Sequence, residues 1–142
     1  MANRGPRGGY DQRGDSGVAN NIATNIKSLG KLADLSVDDL VKYAEEMGKH
    51  LSQINLKTNQ IRKFLDAVKK LESGGGKEFN RDEVKLLKPK LAYAAGRQTE
   101  VKPLMLVLDP CIDRVDTPKD FKQFARLVEG IVAYHKFYGG RD

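Results

Sequence analysis

The chain has 142 residues, of which 39% are hydrophobic and 31% are charged. This length accommodates one domain with its own core, and no apolar run approaches the length that spans a membrane, so we expect no membrane partner. The 25 Lys and Arg outnumber the 19 Asp and Glu and give a net charge of +6, which is compatible with a polyanionic partner. The single cysteine, Cys111, excludes an intramolecular disulfide and favours a reducing, cytoplasmic location.

Residues 1–35 predict a flexible basic tail containing Gly and Arg, which precedes a helical domain over residues 36–142. The first 17 residues lack hydrophobic periodicity and predict disorder. Their Arg-Gly pairs are similar to short RGG-type tails that associate with RNA, and the alternative is a solvated leader without a binding role. Between Val18 and Leu32 the apolar positions are scattered and interrupted by Gly30, which leaves a marginal helix or a docked arm open.

From Ser36 onward the pattern predicts a compact all-α bundle of about five helices. The first begins at Ser36, where Asp39 completes a capping-box arrangement, and its apolar face has the three-four spacing of an amphipathic helix. The second begins at Thr58 and ends at the glycines of residues 74–76, which predict a flexible loop.

The three remaining predicted helices each contain or adjoin a proline. The third begins at Asn80 and continues through Pro89 as one kinked helix, because its apolar spacing stays in phase on both sides. The fourth covers residues 100–109 and ends near Pro110. The fifth begins at the cap Thr117, with Pro118 in its first position, and continues to the stop at residues 139–140.

We find no constellation of residues that supports catalysis or metal binding. His50, Cys111 and His135 are far apart in sequence and have no partners at metal-ligand or triad spacing. The "GGGKE" string of residues 74–78 lacks the hydroxyl residue that a phosphate-binding P-loop carries after its lysine. The sequence therefore predicts a protein that is not an enzyme and has no cofactor. We interpret His135 as a packed or capping histidine at a helix end and the neighbouring aromatic residues 134, 137 and 138 as core, with RNA contact as the alternative.

The positive charge is concentrated in residues 57–102, which hold twelve Lys and Arg against six Asp and Glu, whereas the remaining residues are balanced. Lys57 and Gln60 stand at the entrance of the second predicted helix, and further cations flank the buried positions of the second and third helices. Two adjacent helices with exposed cations form a surface that can follow a phosphate backbone in a salt-sensitive way. The alternative is an ordinary solvated lysine-rich face.

Three strings in this part of the chain and at its end resemble a known family. They are "LKTNQIRKFLDAVKKLE" (residues 56–72), "LLKPKLAYAAGR" (residues 86–97) and "DFKQFARLVEGIVAYHKFYGGRD" (residues 120–142). Together they resemble the small subunit of the type III-A CRISPR effector, the Csm complex. The resemblance covers about residues 30–142, and its most specific parts are "QIRKF", "YAAGR" and "VAYHKFYGG".

This resemblance implies a helical, non-catalytic, RNA-binding subunit in antiviral defence. Several copies stack beside the repeated backbone subunit and line the duplex of guide RNA and target RNA, while cleavage belongs to other subunits, including the large catalytic one. Contacts to the sugar-phosphate backbone leave sequence recognition to base pairing. The alternative function is a helical adaptor whose basic face docks an acidic protein partner.

The resemblance also marks candidate RNA-binding residues. The match to "QIRKF" implies Gln60, Arg62 and Lys63, and the match to "LKPKLAYAAGR" implies Lys88, Lys90 and Arg97; Lys57 joins them from the charge pattern. For Lys63 and Arg97 the alternative is a role at a helix end or an ion pair with Asp66 or Glu100. These seven residues constitute the predicted RNA-binding set.

Overall fold

A computed structural model describes residues 12–74 and 78–142, and the side chains of residues 12–16 lie outside the description. Within these ranges the chain forms seven α-helices joined by short connections, three of which contain a 3₁₀ turn (Leu32–Asp34, Thr58–Gln60 and Thr99–Val101). The helices are α1 (Gln12–Lys27), α2 (Val37–Gln53), α3 (Arg62–Ser73), α4 (Arg81–Lys85), α5 (Leu87–Arg97), α6 (Lys102–Asp113) and α7 (Pro118–Phe137). The prediction of an all-α bundle is confirmed, although the number of helices is larger than the predicted five.

Helices α2 and α7 form the centre of the bundle and run parallel to each other. The side-chain amide of Gln123, near the start of α7, donates to the carbonyl of Leu35 just before α2 at 2.8 Å. At the other end, the Ser52 hydroxyl of α2 donates to the carbonyl of Tyr138, also at 2.8 Å. Contacts that advance together along both helices require a parallel arrangement.

Glycine allows this pair of helices to approach closely. A Cβ atom at Gly48 would lie 2.6 Å from the backbone nitrogen of His135 and 2.8 Å from the carbonyl oxygen of Ile131. A Cβ atom at Gly130 of α7 would lie 2.8 Å from the Cβ of Ala44. Small residues at both sides of the crossing therefore bring the two backbones into contact, as they do wherever helices pack at short distance.

The predicted helix starts at Ser36 and Thr117 are confirmed. The Ser36 hydroxyl accepts a hydrogen bond from the backbone N–H of Asp39 at 3.1 Å. Thr117 and Asp120 form a reciprocal capping box, in which each side chain accepts from the backbone N–H of the other residue. Thr58, by contrast, begins a 3₁₀ turn, and the following α-helix begins at Arg62.

Asp120 also ties the start of α7 to the turn before α2. Its carboxylate is fully buried and accepts from the backbone N–H groups of Ala33 at 2.8 Å and of Asp116 and Thr117 at 3.0 Å, and from the Thr117 hydroxyl. Burial alone would raise the pKa of this carboxyl, but the four donors together outweigh burial and lower it. The ionised form is therefore the one that stabilises the fold.

This arrangement predicts a specific acid sensitivity. We expect Asp120→Asn to lower the free energy of unfolding at pH 7 by about 3 kcal/mol, because an amide N–H would then face buried N–H donors. A lowered folded-state pKa contributes stability above the unfolded value of about 3.9, and that contribution is lost as the pH falls through the folded value. Urea unfolding between pH 7 and pH 2 should thus show a shallower acid loss for Asp120→Asn than for the unchanged chain. The exposed Asp39→Asn is the control, and equal slopes for all three proteins would contradict the assignment.

The third predicted helix is two helices, so the prediction of one kinked helix is wrong. Leu86, with φ −70° and ψ −7°, separates the end of α4 from the start of α5. The break places Pro89 in the first turn of α5, where backbone N–H groups have no partner within the helix and a proline costs little. In an uninterrupted helix Pro89 would have removed an internal hydrogen bond.

Pro110 does not end the fourth predicted helix, because α6 continues through it to Asp113. Tertiary packing explains the difference: Cys111 and Ile112, which follow the proline, are completely buried. The backbone N–H that Pro110 lacks would have bonded the carbonyl of Leu106, a residue that is 38% exposed and accessible to water. Burial of the last turn therefore outweighs the lost hydrogen bond.

The predicted boundary between tail and domain at residue 36 is also wrong. Ile22 and Ile26 of α1 are buried in the same core as the rest of the bundle, and α1 packs along α6. Arg114 fixes the end of this helix, since its guanidinium donates to the carbonyls of Lys27 at 2.8 Å and Leu29 at 2.9 Å. The docked-arm alternative is thus confirmed for this segment. Residues 1–11 of the predicted tail and residues 75–76 of the predicted flexible loop lie outside the described residues.

The C-terminal aromatic residues differ from one another in burial. Tyr134 packs against the core, as predicted, but Phe137 is 74% exposed. Phe137 instead places its ring edge-on against Tyr138, with 5.0 Å between the ring centroids. The prediction that all three rings belong to the core is therefore wrong for Phe137.

Candidate nucleic-acid interface

Helices α3 and α5 lie side by side on the surface and carry the positive window of the sequence. Each turns a narrow apolar stripe inward: Phe64 and Val68 are buried on α3, and Leu87, Leu91 and Ala95 are buried on α5. The other side chains of these two helices are exposed or half-buried. The line along which the two helices meet is the candidate interface.

We name four cations and one aromatic residue beside this line the basic seam: Lys63 and Lys70 on α3, and Lys90, Tyr93 and Arg97 on α5. Lys63 of α3 is close enough to Tyr93 of α5 for its charge to act on the phenol. The two cations of each helix are seven residues apart, which is about two turns, so they share one face about 10 Å apart. Lys70 and Lys90 line the same surface groove. All four cations are exposed, and none of them forms an ion pair with a carboxylate of the described residues.

Tyr93 stands among these cations and is 63% exposed. The Arg97 guanidinium lies over its ring, 6.0 Å from the centroid, and donates to its hydroxyl at 3.4 Å. The hydrogen bond and the charge of Arg97, with a further contribution from the charge of Lys63, lower the pKa of the Tyr93 phenol. Tyr93 was not in the predicted set, although its four-residue spacing from Arg97 could have identified the pair.

Gln60 closes one end of the basic seam. Its side-chain oxygen accepts from the backbone N–H of Lys57 at 2.9 Å, and its side-chain nitrogen donates to the side-chain oxygen of Gln98 at 3.2 Å. The second bond links the 3₁₀ turn before α3 to the residue after α5. Gln60 therefore holds the two helices of the interface in register at this end.

Lys88 lies apart from the basic seam. It is about 200° around α5 from Lys90, and its ammonium forms an ion pair with Asp113 of α6 at 2.7 Å. Lys85 contacts the same carboxylate at 3.6 Å. The hydrogen bond from Lys88 is the main reason that the pKa of Asp113 is lowered. The charge of Lys88 is thus partly neutralised within the protein.

Arg62 and Lys57 lie beside the basic seam and not in it. Arg62 is exposed on the other side of α3, where it lines the groove between α3 and α7 together with Lys69. Lys57 is exposed in the connection before α3, where its backbone pairs with that of Arg141. Of the predicted set, the structure brings Lys63, Lys90 and Arg97 together, with Gln60 at their end.

Lys63 and Arg97 form no ion pair with a carboxylate of the described residues. In the described part of the chain, ion pairs within 4 Å join Arg81 to Asp116, Lys85 and Lys88 to Asp113, and Lys136 to Asp142. Neither Lys63 nor Arg97 takes part in one, so the ion pairs with Asp66 and Glu100 are not formed, whereas Arg97 does lie in the last turn of α5, as the helix-end alternative requires. Both side chains remain available to an external anion.

Other chemistry finds little support in the residues that the structure describes. No three His, Cys, Asp or Glu side chains among them form a group that could hold a metal ion. Cys111 is completely buried, and burial raises the pKa of its thiol. His135 is buried and donates from Nε2 to the carbonyl of Leu56 at 2.6 Å, which confirms the interpretation as a packed histidine. None of the described helices is both long and apolar enough to cross a membrane.

Fold and surface together define a small all-helical protein that presents a cationic two-helix face. Comparison with known proteins then gives the family. Residues 34–141 match the family model for Csm2 of type III-A. The chain is 31% identical over 122 residues to the "CRISPR system Cms protein Csm2" of Streptococcus thermophilus, a match that covers 78% of this chain and all of the relative. A protein of the same name from Enterococcus italicus is 38% identical over 63 residues, which are 41% of this chain and 45% of the relative.

The chain belongs to the Csm2 family, the small subunits of type III-A CRISPR effector complexes. The resemblance that the three sequence strings carry is thereby confirmed.

Proposed function

We propose that this subunit is a non-catalytic RNA-binding protein that contacts the backbone of the guide RNA–target RNA duplex through its basic seam. The observation that carries the proposal is the presence of four exposed cations on two adjacent helices without carboxylate partners among the described residues. Unpaired cations in register along a surface bind phosphates and release counterions. Backbone contacts of this kind position a protein on a duplex without reading its sequence.

Several copies act together in this proposal. A single copy offers few phosphate contacts, so its affinity as an isolated protein is modest. Copies held side by side by the repeated backbone subunit and the large catalytic subunit would bind one duplex with a high effective concentration. The assembly would work in the cytoplasm, where the lone buried thiol of Cys111 stays reduced.

The experiment is a salt titration of the purified chain. We expect a fluorescein-labelled RNA duplex to bind at low ionic strength, with an affinity that falls linearly on a double logarithmic plot against salt concentration. If all four cations engage phosphates, the slope is about −3 to −4. Fluorescence anisotropy measures both quantities, and polyglutamate of equal charge serves as the comparison.

Two outcomes would contradict the proposal. The first is no binding of duplex RNA at low salt by a correctly folded chain. The second is binding of polyglutamate as tightly as RNA, because a surface that binds carboxylates equally well favours the adaptor function with an acidic protein partner. Tighter binding of RNA at each salt concentration supports the RNA-binding function.

A further inference from the structure

The last residues of the chain return to the connection between α2 and α3. Residues 139–142, which we name the C-terminal strap, place Arg141 beside Lys57 in a parallel backbone bridge. The backbone N–H of Thr58 donates to the carbonyl of Arg141 at 3.0 Å, and the N–H of Gly140 donates to the carbonyl of His135 at 2.7 Å. These hydrogen bonds hold the C-terminal strap to the connection before α3 and to the end of α7.

His135 and Gly140 fix the C-terminal strap in this position. The buried imidazole of His135 bonds the carbonyl of Leu56, the residue directly before Lys57. Gly140 lies against the face of this ring, so a Cβ atom at Gly140 would overlap the ring atoms Cε1, Nδ1 and Nε2. Gly139 has a φ of +99°, in the region that favours glycine. The sequence Gly-Gly is therefore required for the chain to fold back across His135.

A continuous path of hydrogen bonds leads from the C-terminal strap to the basic seam. Arg141 bonds the backbone of Thr58, and the backbone of the preceding residue, Lys57, bonds the side chain of Gln60. Gln60 then bonds Gln98 at the end of α5. The connection that carries Lys57 is consequently held from two directions, by the C-terminal strap and by the interface helices.

The C-terminal strap also adds charge at this end of the basic seam. Arg141 and Lys57 are both exposed, and neither has a carboxylate partner within 4 Å among the described residues. Asp142, the acidic residue of the C-terminal strap, is engaged by Lys136 at 3.0 Å. That hydrogen bond is the main reason that the pKa of Asp142 is lowered, and the charge of Arg62 contributes as well.

We propose that the C-terminal strap is part of the RNA-binding surface: it positions Lys57 and Gln60 at the end of the basic seam, and Arg141 contacts the RNA backbone. This inference rests on the proposed function. His135 and Gly140 are positioning residues, because they act by holding the C-terminal strap and the connection together. Arg141 and Lys57 extend the row of cations beyond the two helices.

Two variants test the two parts of the inference. Arg141→Ala removes the side-chain charge but keeps the carbonyl that bonds Thr58. We expect it to weaken RNA duplex binding about threefold to tenfold and to reduce the salt slope by about 1. Gly140→Ala should displace the C-terminal strap, with a larger loss of affinity and with faster hydrogen exchange of the Thr58 amide. Gly30→Ala is the matched control, since a Cβ atom there has no neighbour within 4 Å.

The readouts separate this inference from the proposed function. If the unchanged chain does not bind duplex RNA, both fail together. If it binds and Arg141→Ala keeps the full affinity and salt slope, the inference fails and the proposed function stands. Equal Thr58 exchange in Gly140→Ala and Gly30→Ala would overturn the positioning role. Should Gly140→Ala unfold, Arg141→Ala still decides whether the C-terminal strap contacts RNA, because its altered side chain is exposed.

Discussion

Reversing two charges of the basic seam, with Lys90→Glu and Arg97→Glu in one chain, should weaken RNA duplex binding roughly a hundredfold at 0.1 M salt. Each reversal removes an attraction to phosphate and adds a repulsion. Both residues are exposed and lack carboxylate partners among the described residues, so the helical circular dichroism spectrum and the melting temperature should change little. Fluorescence anisotropy over a range of salt concentrations measures the affinity and the slope.

A matched variant distinguishes the basic seam from the net charge of the molecule. Lys42→Glu with Lys119→Glu changes the net charge by the same amount, and both lysines are exposed on α2 and α7, outside the basic seam. We expect this control to lose less than about threefold in affinity, because distant surface charges are screened at 0.1 M salt. Equal losses in the two double variants would show that binding follows total charge and not this surface.

The second large effect concerns stability. Gly48→Ala should lower the free energy of unfolding by at least about 2 kcal/mol, because the added methyl group meets the backbone of α7 and cannot move away. The higher helix propensity of alanine, worth about 1 kcal/mol, offsets only part of this cost. For a chain of this size the melting temperature should fall by about 5 °C or more.

Gly96→Ala is the control for Gly48→Ala. Gly96 also lies inside a helix, α5, but a Cβ atom there has no neighbour within 4 Å. Only the propensity gain remains at this position, so we expect Gly96→Ala to raise the free energy of unfolding by about 0.5–1 kcal/mol. Thermal and urea unfolding of both variants measure the opposite signs. The same sign for both would contradict the close packing of α2 against α7.

The helix starts were predictable because they depend on local chemistry. Ser36 and Thr117 carry capping hydroxyls, and the acidic residues that follow them lie where the capping box requires. The buried face of α2 follows from the spacing of its apolar residues alone. The residues that form each of these signals lie within a few positions of one another along the chain, so the local sequence is enough to predict them.

The errors occurred where distant packing decides the outcome. The last turn of α6 forms beyond Pro110 because Cys111 and Ile112 are buried against other elements. Arg114, some 85 residues away in sequence, fixes the end of α1 by bonding the carbonyl of its last residue, Lys27, and the carbonyl of Leu29 just after it. Neither partner is visible in the local pattern. A marginal hydrophobic pattern therefore predicted a tail where the structure has a docked helix.

The candidate site shows the same division. Charge counting located the segment that contains the candidate interface, because the excess of Lys and Arg in residues 57–102 is a property of the sequence itself. Which of its cations are exposed and which form ion pairs depends on carboxylates of neighbouring helices. Asp113 on α6 engages Lys88, whereas Lys90, two residues later, lines the open groove with Lys70. The C-terminal strap beside Lys57 depends on contacts between residues about 80 positions apart, which no local pattern contains.

Target-RNA capture by the assembled type III-A complex tests the central claim most directly. Complexes reconstituted with the unchanged subunit, with Lys90→Glu/Arg97→Glu, or with Lys42→Glu/Lys119→Glu should contain the same subunits. We predict that the seam variant captures labelled target RNA much more weakly than the other two complexes, and that the difference grows as salt is raised. Equal capture by all three complexes would contradict the assignment of the basic seam as the RNA-binding surface.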